Sequence, residues 1–428
     1  MNHKFPIFSR LVLAGLLTSA VALSSFPTSL HAQSTLAKSK SREILFASEK
    51  KLDDLETSLK SDNPAIKGIK KALTDNKIKV TSISHGDGDN FSEYDSIAYH
   101  YKDVKKDKKL QQSLRDALHD GKKVFLYGGL TIEEYCELLG LENIYSQIES
   151  DTPEEKIVSF HDSGQAEKKA NSDNTNKHEI IGYTLDKNSP YNVFICDINN
   201  YDDKGMIDLN DEIYLKEILE HEYKTLKKGE KGEQSDFSIQ NVESASTKLV
   251  DSEYDITASA YYVTKKAGSI NSQYKLYQVT DESDDDYDYF YVKDTSVIET
   301  YEWMWDAEEF AIRHELSFSS DELDDAEPDD TESDTISISL GYPFEVSYTY
   351  NVESGAEFDL TINKSDDYSK WLITDNDLES DNDDYEVVTS WASTGTYAGM
   401  DITHRVGFFA GLDVEAYANQ SIEVRYNY

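Results

Sequence analysis

The sequence predicts an α+β protein in two domains: an N-terminal α/β (Rossmann-like layered) domain over residues 41–228 and a mostly antiparallel β domain, a sandwich or meander, over 236–428. Three observations predict it. In the first half, apolar residues recur at helical spacing or in short unbroken runs. In the second half they alternate at period two. Charge also divides between the halves: the chain carries 42 Lys+Arg and 83 Asp+Glu, net -41, yet Ser235 to Tyr428 holds only 10 of the basic residues and 44 of the acidic ones.

The chain opens on Lys4 and Arg10, an apolar run from Leu11 to Leu23, and a Ser/Thr/Pro stretch ending at Ala32. That pattern is a secretory signal peptide over residues 1–32, with Ala20-Val21-Ala22 as an alternative cleavage site. The apolar run is too short to span a bilayer and no comparable run follows, so the expectation is a secreted, extracellular protein with no transmembrane segment.

Ile44, Leu45, Leu52, Leu55 and Leu59 read as a helix over Ser41–Lys60. Asn63-Pro64 caps and starts a second helix running to Leu73. Strands at Ile78–Ile83 and Ser96–Tyr101, a helix at Lys105–His119 and a strand at Lys123–Tyr127 follow in order. Gly128-Gly129 then turns the chain into a helix that opens on a capping box, Thr131 with Glu134. Further strands are expected at Lys156–Phe160, Glu179–Leu185 and Asn192–Ile198, and a helix at Leu209–Leu226. The polar stretch Asp162–Lys177 reads as a surface loop, and the Lys/Gly/Glu-rich residues 227–235 as a linker.

Past the linker, Tyr254, Ile256, Ala258 and Ala260 alternate with polar residues. So do Ile336 to Leu340, Phe344 to Tyr350, Phe358 to Ile362 and Ile422 to Tyr428, as antiparallel strands with one buried face do. Pro343 marks an edge or bulge. Three acidic runs, Asp281–Asp288, Asp321–Asp334 and Asp375–Glu386, read as loops between strands. Cys136 and Cys196 are the only cysteines; a disulfide between them and two buried thiols both remain open.

Composition excludes more chemistry than it supports. So acidic a surface repels nucleic acid and anionic lipid. No Gly-x-Ser-x-Gly elbow, Walker A sequence or dinucleotide-binding glycine fingerprint occurs. His178-Glu179, His221-Glu222 and His314-Glu315 lack the second histidine of a zincin helix and read as ordinary surface residues. Gly128 and Gly129 are candidate ligand-binding residues, because glycine at the carboxyl end of a strand lets backbone amides approach a bound group. His85 and Asp87, at the end of another strand, would join them if the two strands are neighbours.

Calcium is the cofactor the acidic runs suggest, since it takes six to eight oxygens. The candidate ligands are Asp375, Asp377, Glu379, Asp381 and Glu386. Asp375, Asp377 and Glu379 stand at positions one, three and five of a twelve-residue calcium loop and Glu386 at position twelve, although Ser380 replaces the usual glycine. Tyr261, Tyr262, Tyr274, Tyr277, Tyr287, Tyr289 and Tyr291 crowd one stretch, where they serve strand packing or a recognition surface.

These features favour a non-enzymatic, secreted binding or surface-interaction protein whose partner is an extracellular protein or glycan. One alternative is a β-pore-forming toxin, with Thr335–Tyr350 as a membrane hairpin. The strand pattern from Tyr254 to Lys293 resembles that of β-rich secreted toxins, over this short stretch and without a diagnostic motif. The other alternative is an extracellular hydrolase using paired carboxylates.

Overall fold

The computed structural model describes residues 41–48, 63–84, 90–141, 177–186, 189, 191–230, 247–280, 286–301, 304–328, 335–339, 345–349, 357–374, 378, 384–411 and 414–428. It is mostly β. The first half contains β1 (Arg42–Ser48), α1 (Pro64–Thr74), β2 (Ile78–Ser84), β3 (Ser96–His100), α2 (Tyr101–Lys106), α3 (Lys108–His119), β4 (Lys123–Leu130) and α4 (Ile132–Leu139). It continues with β5 (His178–Tyr183), β6 (Val193–Asp202), β7 (Gly205–Met206) and α5 (Asp211–Glu230). The second half contains β8 (Thr247–Tyr262), β9 (Lys265–Val279), β10 (Asp288–Thr300), β11 (Asp306–Leu316), β12 (Asp321–Glu327), β13 (Thr335–Ser339) and β14 (Glu345–Thr349). It ends with β15 (Glu357–Asn363), β16 (Tyr368–Thr374), β17 (Asp384–Ser393), β18 (Tyr397–Phe409) and β19 (Glu415–Asn427).

One twelve-stranded mixed sheet runs through both halves in the order β12-β17-β10-β9-β8-β6-β5-β4-β3-β1-β2, with β7 on β6. Strands β2, β1, β3 and β4 are mutually parallel; β5 is antiparallel to both β4 and β6, and β6 pairs parallel with β8 from Ile195↔Ile256 to Tyr201↔Tyr262. The sheet that begins in the first half is thus extended by strands of the second half.

The expected helix over Ser41–Lys60 is corrected at its start, where Arg42–Ser48 is a strand. Its residues Ile44, Leu45, Phe46 and Ala47 are all buried. A parallel strand covered on both faces buries consecutive side chains, so it carries an unbroken apolar run in place of alternation. Residues 227–230, taken as linker, complete α5. Asp321–Glu327, taken as loop, is edge strand β12, where acidic side chains are tolerated and discourage further pairing. The expected helix over Lys105–His119 is two, α2 beginning already at Tyr101 and α3 capped anew by Asp107; the Thr131/Glu134 capping box forms as expected, and Gly140 closes α4 in the left-handed conformation.

Two layers of helix clothe the first half of the sheet. Helices α1 and α5 pack on one face against Phe46, Phe125 and Phe194, while α3 and α4 pack on the other against Leu45, Tyr99 and Leu126. In the second half, the five-stranded antiparallel sheet β15-β16-β11-β18-β19 takes over the α3/α4 face. The result is a sandwich, filled by Ile270, Phe310, Trp371, Val406 and Phe408 at one end and by Phe290, Trp391, Met400 and Val424 at the other. Cys136 and Cys196 are unpaired and lie in core clusters on opposite sides of the large sheet.

Candidate functional site

Gly128 and Gly129 lie at the carboxyl end of β4, with φ of +106° and +81°. Side-chain-bearing residues rarely adopt these values. The β4–β5 register shifts between Tyr127 and Leu130, so the glycines form a bulge after which pairing resumes at Leu130↔His178. A Cβ on Gly128 would lie 2.5 Å from His100 Nε2, and one on Gly129 would lie 3.5 Å from Glu179 Oε1. The bulge thus makes room for an imidazole from the end of β3 and a carboxylate from the start of β5.

The surroundings of that carboxylate are polar but enclosed. Tyr214 Oη donates to Glu179 Oε2 at 2.7 Å, and burial, reinforced by nearby Asp197, raises the Glu179 carboxyl above its ordinary range. His178 pairs with Asp197 at 2.9 Å; burial pulls the imidazole down, but the carboxylate outweighs it and the net shift is upward. Lys105, in the last turn of α2, binds Glu134 in the first turn of α4 at 3.1 Å, beside Tyr101. This edge collects general acids, bases and aromatic rings at the strand ends where ligands enter open α/β sheets.

The sequence pointed to the glycines but not to His100, Glu179, Asp197 or Tyr214. His178, His221 and His314, taken as surface residues, are all buried. His221 Nε2 accepts from Lys123 Nζ at 2.7 Å, and Glu222 binds Arg42 at 2.6 Å. Each histidine is flanked by charged residues, and the available sign of burial was its register with apolar positions, as of His314 with Ile312 and Leu316.

His85 and Asp87 lie outside the described residues. The order β4-β3-β1-β2 separates the strand ending before His85 from the glycine strand by two others, a spacing of roughly 14 Å across the sheet. The two strands are not neighbours. Of the proposed calcium ligands, Asp375, Asp377, Glu379 and Asp381 also lie outside the described residues. Glu386 is within β17 and binds Lys293 at 2.8 Å. Among the described residues, no three His, Cys, Asp or Glu side chains converge as a metal site.

The crowded tyrosines separate by strand alternation. Tyr261 and Tyr274 are fully buried, and Tyr274 donates to Asp251 at 3.0 Å. Tyr277 and Tyr291 stand on the opposite face of β9 and β10, stacked with ring centroids 4.7 Å apart and planes 6° from parallel. Next along that face come Lys275 opposite Lys293, then Gln273 opposite Thr295, then Asn271 opposite Val297. These six residues are half-exposed, while Ser272, Tyr274, Leu276, Val292, Asp294 and Ser296 between them are buried against the second sheet. Partial burial, with Lys293 opposite, lowers the Lys275 ammonium below its ordinary value.

The whole is a mixed α/β sheet extended into an antiparallel sandwich. No family model matches the chain, and no curated protein matches it. Similar solved structures include one titled "Pore forming protein", at 8% identity and TM-score 0.25, covering 42% of this chain and 94% of that one. The Clostridium perfringens delta-toxin matches at 9% identity and TM-score 0.24, covering 41% and 94%. The collagen-binding domain of a Staphylococcus aureus adhesin matches at 7% identity and TM-score 0.20, covering 35% and 93%. Likeness of this degree identifies neither a family nor an activity.

Proposed function

We propose that this chain is a secreted surface-interaction protein that binds an extracellular protein or glycan through the outer face of β9, β10 and β17. The observation that supports the reading most is the half-exposed row on that face: Tyr277 stacked on the buried Tyr291, Lys275, the Lys293–Glu386 ion pair, Gln273 and Asn271. Aromatic rings with polar tips, set among amides and charges on a rigid sheet, contribute contact area at low entropic cost. The reverse face is sealed by the second sheet, so the row is held without rearrangement. A glycan and extracellular-matrix-protein array, probed with the mature chain, tests the reading. Binding to a discrete set of spots supports it; an array without a hit overturns it.

A second reading, membrane pore formation, has one supporting observation. Strands β13 and β14 form a two-stranded ribbon of their own, registered from Thr335↔Thr349 to Ser339↔Glu345, with β13 lying against β12 and β17. Among the described residues, five paired residues per strand fall short of the roughly 9–11 needed to cross a bilayer. Dye release from liposomes would support this reading, and intact liposomes across lipid compositions and pH would remove it.

A further inference from the structure

A row of polar side chains crosses the middle of the sandwich, where the inward alternation of seven strands is interrupted at one level. The inward sequence is Ile270-Ser272-Tyr274 on β9, Val292-Asp294-Ser296-Ile298 on β10, Ile312-His314-Leu316 on β11 and Val387-Thr389-Trp391 on β17. It is Ile402-His404-Val406 on β18 and Ala418-Gln420-Ile422 on β19, with Ser369 joining from β16. The row separates the two apolar ends of the interior.

At its centre, Asp294 of the large sheet meets two histidines of the small one. Asp294 Oδ2 accepts from His404 Nε2 at 2.6 Å and from His314 Nε2 at 3.2 Å, and all three side chains are fully buried. His314 Nδ1 meets Thr389 Oγ1 at 2.9 Å, which meets Ser369 Oγ at 2.9 Å. His404 Nδ1 meets Gln420 Oε1 at 2.9 Å, and Ser272 and Ser296 stand within 3.4 Å of the same ring. Trp371 and Phe310 enclose the imidazoles, and Tyr385 packs on Phe310. Among the described residues, the charges hydrogen-bonded at the centre are its own carboxylate and whatever protons the two rings hold.

We propose that Asp294, His314 and His404 form an acid-sensitive latch between the two sheets. One carboxylate neutralises one imidazolium. When both rings hold a second proton, the row carries a net positive charge in a dry interior, and separation of the sheets, which hydrates it, becomes the favoured outcome. The direction of each shift agrees. Burial lowers His314 below its ordinary 6.5, so its contribution to stability is present above pH 6.5 and lost as pH falls from there toward its folded value. Burial opposes the Asp294 charge, but the two histidines outweigh it and hold the carboxyl down to about 2, so Asp294 stays ionised while His314 titrates. His178 is raised, which makes its own contribution grow on acidification, so it cannot supply the same opening.

The test is a pH titration of the mature chain from 7.5 to about 4, read by near-ultraviolet circular dichroism of the buried tryptophans and by binding of an apolar-surface dye. A joint loss of the first signal and gain of the second is expected below pH 6.5. His314→Asn, which cannot take up the proton, is expected to lower the midpoint by about one unit, a tenfold change in proton requirement. His119→Gln, at an exposed helix end, is expected to leave it in place. If His314→Asn does not fold at pH 7.5, the ring resonances of His314 in the wild-type protein replace it and should titrate together with the opening. A sandwich that stays closed to about pH 4, a midpoint unmoved by His314→Asn, or a His314 ring that titrates apart from the opening would each overturn the latch.

Discussion

Substituting Gly268 by alanine tests whether the two sheets meet as described. Gly268 lies on β9, and a Cβ there would come 2.0 Å from Phe408 Cε1 on β18. Carbon atoms pack at about 3.5–4.0 Å, so the ring or the strand must move by more than an ångström. Phe408 is itself fully buried, held between the sheets. Overpacking of this kind costs about 1–3 kcal/mol, and the enclosed ring puts Gly268→Ala at the upper end. Phe408→Ala should cost about 3–5 kcal/mol through the cavity it leaves. In the double variant the clash is gone and the new methyl occupies part of that cavity. Its cost should then fall at or below that of Phe408→Ala alone, a coupling of about 1–3 kcal/mol. Urea denaturation of the four proteins at pH 7.5, followed by near-ultraviolet circular dichroism, measures all the terms. Costs that add to within about 0.5 kcal/mol would refute the packing, because uncoupled sites add to that tolerance.

Four further outcomes are expected. Lys266 is buried and binds Glu217 at 3.0 Å and Glu220 at 2.9 Å, while Tyr301 and Tyr261 donate to the same carboxylates. Lys266→Met removes the cation shared by the two buried carboxylates, leaving Glu220 its weaker pair with Lys224 at 3.4 Å, and should cost about 3–5 kcal/mol in urea denaturation. Thr131→Ala removes the cap of α4 and should cost about 1 kcal/mol by the same assay. Glu179 is raised, so its contribution to stability falls as pH rises above 4.5; Glu179→Gln should flatten that part of the stability–pH curve and leave the protein no less stable at neutral pH. Burial pushes the Cys136 thiol up to about 12 and Cys196 well above its ordinary value, so both should react with a thiol reagent only after denaturation.

Much of the fold was legible because local signals acted alone. Asn63-Pro64, the Thr131/Glu134 box and the period-two stretches at Tyr254–Ala260 and Ile422–Tyr428 each determine an element within a few residues. Arg42–Ser48 was not legible, because a strand buried on both faces has no alternation to detect. Strand order was hidden for a related reason. The pairing of β6 with β8 joins residues some sixty positions apart, and only packing decides it. At the site, Gly128 and Gly129 were visible as turn formers. The partners their bulge admits, His100 and Glu179, come from two other strands. The polar row in the sandwich did leave a trace, as single histidines inside alternating segments such as Ile312-His314-Leu316 and Ile402-His404-Val406. Its meaning depended on the two sheets facing each other at that level.

The proposed interaction face is tested most directly on whatever array spot the mature chain binds, by measuring its Kd for the wild-type protein and for Tyr277→Ala and Lys275→Ala. Both side chains are half-exposed on the outer face, so the variants should keep the wild-type fold by circular dichroism. The account predicts at least a tenfold weaker Kd for Tyr277→Ala, the loss of about 1.4 kcal/mol expected of an aromatic anchor, and a smaller loss for Lys275→Ala. Wild-type affinity in both folded variants would contradict it.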